Sequence, residues 1–425
     1  HNGGYRYFCQ TRSRFANSPE KPIIDRTSEE ASENMSPAPL IDRELAAAVS
    51  GNKIAGLVAV AANQDGVFYE AAFGRRNAAL PQRMTANSVF RIASMTKAIT
   101  AAAAMQMVEQ GKLSLDQPAQ EVLPVLAETK VLDGFDAAGR PILREPRGTI
   151  TLRRLLTHTA GFVYDTWNQD MNRYAQLTGL PAARSGKLAA LSAPLGFDPG
   201  ARWEYGINIE ITGRMVEAVS GLDLETYFQR HIFAPLGMVD TSYIERPEWE
   251  DRLTAVHARQ PDGSLEPIAT PPGVAPDREF FPGGGGLYST GSDYMRFLLA
   301  LMHGGELGGN RILKPETVAL MGQNHMGPLN VLPMRSAVPR LSNDVELFPG
   351  MVKKWGLSFL INTEPGPAGR SAGSLAWAGL NNTYYWLDPT RKVAGVLMTQ
   401  ILPFADRTVL DTLDAFERAV YATLA

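Results

Sequence analysis

Ser94 and Lys97 stand three residues apart at the head of an alanine- and methionine-rich run that ends at Gly111. On a helix these positions share a face, so the amine reaches the hydroxyl. A serine hydroxyl attacks carbonyls poorly while it keeps its proton, and a neutral amine beside it is a base that can take that proton. The helix N-terminus adds backbone N–H groups and a positive dipole end, which favour an alkoxide or oxyanion and disfavour a charged lysine. The competing reading, Ser94 as a simple cap and Lys97 as a solvated first-turn residue, is weakened by that same dipole. A second serine, Ser371, lies in Gly369-Arg370-Ser371-Ala372-Gly373, the pattern of a nucleophile elbow. An elbow needs a strand before it, a helix after it and a histidine downstream. Here a Pro/Gly loop precedes, strand-like residues follow, and the six histidines (His1, His158, His231, His257, His303 and His325) all come earlier. Ser371 therefore reads as a loop residue.

The elements that must hold Ser94 and Lys97 follow from periodicity and punctuation. Residues 40–49 read as an amphipathic helix. Residues 54–63 and 67–73 read as two strands joined by Asp65-Gly66, a hairpin signal. The helix from Ser94 ends at Gly111, in keeping with alanine's helix propensity and glycine's place past a helix end. Residues 119–150 read as loops and short helices, 151–156 as a short helix capped by Thr151, and 205–219, 224–233 and 289–302 as helices. Residues 323–352 carry no strong element and fit a pocket rim. Residues 355–361, 374–387 and 393–400 are strand-like, and 406–424 form a closing helix. The expected fold is therefore α/β in the α+β sense. An antiparallel β-sheet built from both ends of the chain is flanked by the N- and C-terminal helices, with a mostly helical domain inserted.

Composition narrows the function classes. The chain has 425 residues, a net charge of −3, 44% apolar and 20% charged residues, an ordinary globular balance. Lysines and arginines are scattered, so neither nucleic acid nor an acidic membrane is an expected partner. No apolar run is long enough to span a bilayer. Cys9 is the only cysteine, which excludes an intrachain disulfide and a cysteine-based metal site. Residues 1–38 are polar and aperiodic and are set apart as an extension, tag-derived or otherwise non-native. Residues 39–425 form the catalytic unit, with 39–93 and about 350–425 making the sheet and about 94–349 the mostly helical part. No signal-peptide pattern is visible, which slightly favours the cytoplasm. The residues alone give no oligomeric state.

Several stretches around Ser94 occur together in one order. They are Phe90-Arg91-Ile92-Ala93-Ser94-Met95-Thr96-Lys97, Gly111-Lys112-Leu113-Ser114-Leu115-Asp116, Leu155-Leu156-Thr157-His158-Thr159-Ala160-Gly161, Trp203-Glu204-Tyr205-Gly206-Ile207-Asn208 and Gly284-Gly285-Gly286-Leu287-Tyr288-Ser289-Thr290. From about Leu40 to the C-terminus the chain resembles the serine β-lactamase-like hydrolases, which share a fold with DD-peptidases and class C β-lactamases, and most closely the family VIII carboxylesterases. The resemblance implies Tyr205 as the partner of Lys97 in proton transfer. It also implies a backbone oxyanion hole from the Ser94 and Leu380 amides. Two departures bear on substrate. Ile207 stands where lactamases carry asparagine, and Asn208, about 100° further round a helix, is a poor substitute. Trp377-Ala378-Gly379-Leu380 stands where lactamases carry Lys-Thr-Gly and resembles the Trp-x-Gly of family VIII esterases and related acyltransferases. Tryptophan offers an apolar face and one N–H donor but no cation.

The expected function is a serine carboxylesterase acting on short- to medium-chain acyl esters through an acyl-enzyme on Ser94. Lys97 and Tyr205 are the general base and acid, with weak cephalosporin opening as a side activity. Trp377, Gly379, Tyr164 and Ile207 are the expected substrate-binding residues, and no metal or cofactor is required. A β-lactamase or D-amino-acid peptidase, an acyltransferase and a non-catalytic penicillin-binding sensor remain as alternatives on the same fold. His158 reads as structural, and Gly283–Gly286 as a tight loop, since no Lys-Ser/Thr follows it to make a phosphate cradle.

Overall fold

The Asp65-Gly66 signal is a hairpin turn. Strand β1 (Gly56–Asn63) runs into β2 (Gly66–Gly74). Asn63 Oδ1 accepts the Asp65 amide, and Gly66 takes a φ of +126° that a side chain would resist. The computed structural model describes residues 38–270 and 272–424. The extension assigned to residues 1–38 lies outside them apart from Ala38, the first residue of a helix.

Five more strands come from the other end of the chain: β3 (Lys353–Trp355), β4 (Leu360–Asn362), β5 (Leu375–Gly379), β6 (Thr383–Asp388) and β7 (Val393–Met398). They form one seven-stranded sheet in the order β3-β4-β5-β6-β7-β1-β2. Each neighbouring pair is antiparallel, and β1 joins β7 from Val58↔Met398 to Asn63↔Val393. The expected sheet built from both ends is thus the observed one.

The main helices are α1 (Ala38–Val49), α2 (Thr96–Glu109), α3 (Asn208–Ser220), α4 (Gly291–Met302) and α5 (Arg407–Ala422). Strand alternation sends successive side chains to opposite layers. Tyr385 packs on Tyr294 of α4 with ring centroids 5.2 Å apart, while the next residue, Trp386, packs on Phe416 of α5 at 5.4 Å. Helix α1 lies against α5 and β2. With both faces covered, β5, β6 and β7 are buried along their whole length, whereas in edge strand β2 only Tyr69 is buried. Gly395 in β7 leaves room for Trp386: a β-carbon there would lie 2.0 Å from the indole. Gly395→Ala is expected to cost about 1–3 kcal/mol by overpacking. Urea denaturation reads this directly, and an unchanged midpoint would mean the indole moves aside freely.

Four expectations need correction. Residues 355–361 are not one strand: β3 ends at Trp355 and β4 starts at Leu360, and Gly356 donates to the Phe359 carbonyl in the turn between them. Residues 131–144 are not loop and short helix but a hairpin, Val131–Phe135 paired with Pro141–Arg144. The glycines that looked like punctuation are its bulge and turn, with Gly134 at φ +103° and Asp136 Oδ1 accepting the Ala138 and Arg140 amides. Helix α3 starts at Asn208 rather than Tyr205. Gly206 is pressed so close to the Phe162 carbonyl, 2.0 Å from where a β-carbon would sit, that residues 205–207 follow that segment instead. The apolar run 374–387 is two strands, β5 and β6, separated by a turn in which Asn382 takes φ +60°. Residues 323–352 are largely irregular, tied by a bridge between Met334 and Val345.

Candidate active site

Helix α2 shows no amphipathic face because it runs through the core, with every residue from Thr96 to Met107 buried. Lys97 is only 1% exposed. Ser94 sits one turn earlier, in a 3₁₀ segment (Ala93–Met95) that leads into the helix. Ala93 holds φ +43°, a left-handed conformation costly for a residue with a β-carbon. Its surroundings enforce it. Phe90–Arg91 pairs with Tyr288–Ser289, Ile92 donates to the Leu287 carbonyl, and the Tyr294 hydroxyl donates to the Met95 carbonyl.

The Lys97 Nζ has three oxygen neighbours: Ser94 Oγ at 3.1 Å, the Tyr164 hydroxyl at 3.0 Å and the Gly284 carbonyl at 2.7 Å. The glycine loop turns acceptors inward, since Gly283 O also accepts from Thr100 at 2.6 Å. A phosphate cradle would present N–H groups instead.

Tyr205 is buried beside this group, its ring centroid 4.9 Å from Nζ. The resemblance implies Tyr205 as the partner of Lys97 in proton transfer, but the two make no direct hydrogen bond in this structure. The Tyr205 hydroxyl instead accepts from Trp377 Nε1 at 3.0 Å. Trp377 stands between Tyr205 and Trp355, with centroids 4.9 and 4.6 Å away. Its N–H is thus spent on the phenol. Gly379 ends β5 where it crosses the Ser94 turn: a β-carbon would lie 2.3 Å from the Ile92 carbonyl. Leu380 follows in the hairpin turn, and its amide makes no backbone hydrogen bond among the described residues.

The sequence reading missed Glu210. It lies in the first turn of α3, where an acid ordinarily reads as a partner of the helix dipole. Its Oε1 accepts the Tyr164 hydroxyl at 2.8 Å. Tyr164, expected only to line the acyl pocket, therefore links Lys97 to a buried carboxylate. Its ring and Ile207 also line a small cavity of about 30 Å³ with Val163, Asp165, Met171 and Ala193. Asn208 does not face Ser94. Its amide donates to the Phe162 carbonyl at 2.9 Å and approaches His158 Nδ1 at 3.0 Å.

Residues 323–352 cover one side of this group. Val331, Met334 and Val345 meet Trp203 and Trp377 around a second small cavity, and Ser342 accepts from Trp167, whose ring leans on Tyr205. The rival serine is distant in role: the Ser371 amide donates to Asp388, and strand β5 follows it. A cleft of about 530 Å³ between Arg214 and Phe281 touches none of Ser94, Lys97 or Tyr205.

Comparison with known proteins agrees with this architecture. The sequence profile of the Beta-lactamase family matches residues 41–419. This chain belongs to that family. Within it, the chain is similar to monacolin J acid methylbutanoyltransferase from Aspergillus terreus, 34% identical over 91% of this chain and 96% of that protein. It is also 31% identical to a lovastatin esterase from Penicillium rubens, over 90% of this chain and 98% of that protein. The unliganded simvastatin synthase LovD of Aspergillus terreus superposes with a TM-score of 0.79 at 32% identity, covering 92% and 99% of the two chains. The hydrolase EstCE1, at 24% identity and a TM-score of 0.70, shares the fold. These relatives are acyltransferases and esterases on a β-lactamase fold. No helix among the described residues is long and apolar enough to cross a membrane.

His158, in the family's Leu-Leu-Thr-His stretch, braces the Tyr205 loop. It is fully buried at φ +57°, its Nδ1 accepts the Gly206 amide at 3.3 Å, and its carbonyl accepts from Glu204. Burial, and then the nearby Lys97, hold its imidazole well below the ordinary 6.5. The unfolded chain thus binds a proton at this residue before the folded chain does. Stability should therefore begin to fall as the pH drops below about 6.5, by up to about 1.4 kcal/mol per pH unit until the folded value is reached. Urea denaturation across pH 5–8 measures this slope, and His158→Asn should flatten it. A slope unchanged in the variant would assign the effect to other groups.

Proposed function

We propose that this chain is a serine acyltransferase-type enzyme that takes a short- to medium-chain acyl group onto Ser94 and passes it to an alcohol. Ester hydrolysis, the expected main activity, becomes the case in which water is the acceptor. The observation that carries this reading is the company the chain keeps. Acyltransferases and an esterase match it over nine-tenths of its length, and the esterase among them supports water as an alternative acceptor.

Lys97 takes the Ser94 proton as the hydroxyl attacks the acyl carbonyl. The oxyanion forms between the Ser94 and Leu380 amides, where a lost donor typically costs about 2.7–4 kcal/mol of transition-state stabilisation. Tyr205 gives its own phenolic proton to the leaving group, and the Lys97 ammonium, whose Nζ lies 4.9 Å from the Tyr205 ring centroid, then returns the Ser94 proton to the phenolate. Its oxygen is held by the Trp377 N–H, so the phenol keeps one orientation and its developing negative charge meets a donor. The acceptor alcohol then loses its proton to the same groups as it attacks the acyl-enzyme. The indole that stands where lactamases carry a cation favours neutral apolar acyl groups.

The test is a partition experiment. p-Nitrophenyl butyrate is supplied with and without an alcohol, and the new ester is measured by chromatography alongside butyrate and p-nitrophenol. The expected result is ester formation that grows with alcohol concentration at the expense of butyrate. Butyrate alone at every alcohol concentration would reduce the activity to that of an esterase. Efficient nitrocefin opening without p-nitrophenyl ester turnover would replace both readings with a lactamase.

A further inference from the structure

We propose that Glu210 is a positioning residue that acts through Tyr164 to aim the Lys97 lone pair at Ser94. The inference rests on the reading of Ser94 and Lys97 as the acyl-transfer pair. It starts from donor arithmetic. A neutral amine has two N–H donors and one lone pair, and Lys97 Nζ has three oxygen neighbours. The Gly284 carbonyl can only accept. The two hydroxyls, of Tyr164 and Ser94, can each donate or accept. If the Tyr164 O–H pointed at Nζ, the lone pair would be spent there and Ser94 would have no base.

Glu210 removes that ambiguity. A carboxylate only accepts, and its Oε1 lies 2.8 Å from the phenol oxygen, so the Tyr164 proton is committed to it. Tyr164 then presents its own lone pair to Nζ. Both N–H donors are taken, by Gly284 and Tyr164, and the amine's lone pair is left for the Ser94 hydroxyl. When the proton moves from Oγ to Nζ, the ammonium donates to the same three oxygens and no partner has to turn. Burial, and then the Glu210 charge, keep the Tyr164 phenol well above its ordinary 10, so it retains the proton this arrangement needs.

The surroundings are built to this carboxylate. Glu210 is 3% exposed and its Oε2 has no partner, an expensive state for a purely structural group. Gly284, by having no side chain, leaves the carboxylate its room. A β-carbon there would lie 2.4 Å from Oε1 and 2.5 Å from Oε2, yet its carbonyl must reach Nζ. Lys97, Ser94 and Tyr205 face the relay on one side, Asp165 stands near Tyr164, and Tyr243 and Thr100 lie toward Glu210 and the glycine loop.

The experiment is pre-steady-state acylation with p-nitrophenyl butyrate on wild type, Glu210→Gln, Tyr164→Phe and the double variant, with Ser94→Ala as a control. Glutamine keeps the shape but can donate an N–H to the phenol, which frees the Tyr164 proton to turn toward Nζ. The expected result for Glu210→Gln is an acylation rate lower by about 10–100-fold with KM within about threefold of wild type. The double variant should be no slower than the slower single variant, because Glu210 acts only through Tyr164. A wild-type rate in Glu210→Gln, or losses that multiply in the double variant, would overturn the proposal. If Glu210→Gln does not fold by circular dichroism, Glu210→Asp, which draws the carboxylate back, reads the same contact. Activity surviving in Ser94→Ala would instead overturn the underlying reading of the pair, so the two failures are distinguishable.

Discussion

Ser94→Ala should abolish the burst of p-nitrophenol and leave turnover lower by roughly 10⁴-fold or more, the scale seen when a nucleophile is removed from an intact site. The change deletes one oxygen and leaves the helix, the amides and the pocket in place, so the loss reports covalent chemistry and not folding. Mass spectrometry supplies the second readout. Wild type trapped with excess ester should gain one acyl mass on the peptide that carries Ser94, and the variant should gain none. Ser371 offers the internal control. It lies in a loop pinned to Asp388, with no lysine or histidine among its hydrogen-bond partners, and Ser371→Ala should keep activity within about twofold. An acyl mass on Ser371, or turnover surviving in Ser94→Ala, would remove the basis of the mechanism.

Lys97→Met is expected to separate stability from activity. Lys97 is buried with no carboxylate in direct contact; its partners are two hydroxyls and a carbonyl. Burying an amine among neutral groups is costly, and methionine fills a similar volume without that cost. Leaving the Gly284 carbonyl without a donor gives back part of the gain, about 1–3 kcal/mol. The variant should therefore melt at or above the wild-type temperature while acylation falls by at least about 10³-fold, since Ser94 loses its base. Calorimetry and burst kinetics on the same preparation check both halves. A melting temperature lower by more than about 5 °C would show that Lys97 is chiefly a structural residue.

Local signals were reliable where a single segment carries the whole physical cause. Asp65-Gly66 makes its turn with its own neighbours, and Thr151 caps its helix by accepting the Arg154 amide three residues on. Signals failed where a distant segment overrides local preference. Residues 205–207 look helical by composition, but the Phe162 carbonyl occupies the space a side chain at Gly206 would need. The run 374–387 hides its turn because both faces of β5 and β6 are buried. Periodicity is then silent, and only the Asn381-Asn382 pair marked the break. The 131–144 hairpin was lost because its bulge and turn glycines resemble loop punctuation.

The sequence by itself determined the Ser94–Lys97 contact, because the two meet through three residues of one helical turn, and its ordered motifs pointed to the family. It also determined that the sheet draws strands from both ends of the chain. Only the tertiary structure decided how the remaining polar groups share their protons. Tyr164 meets Glu210 across 46 positions, Lys97 meets Gly284 across 187, and Trp377 meets Tyr205 across 172. No periodicity or spacing encodes such pairs, since each depends on where helix α2, helix α3 and strand β5 converge. The sequence reading gave Lys97 to Tyr205. The packed core gives its hydrogen bond to Tyr164 and leaves Tyr205 to the indole, because a hydrogen bond reaches only about 3 Å and packing alone decides which oxygen lies within that reach.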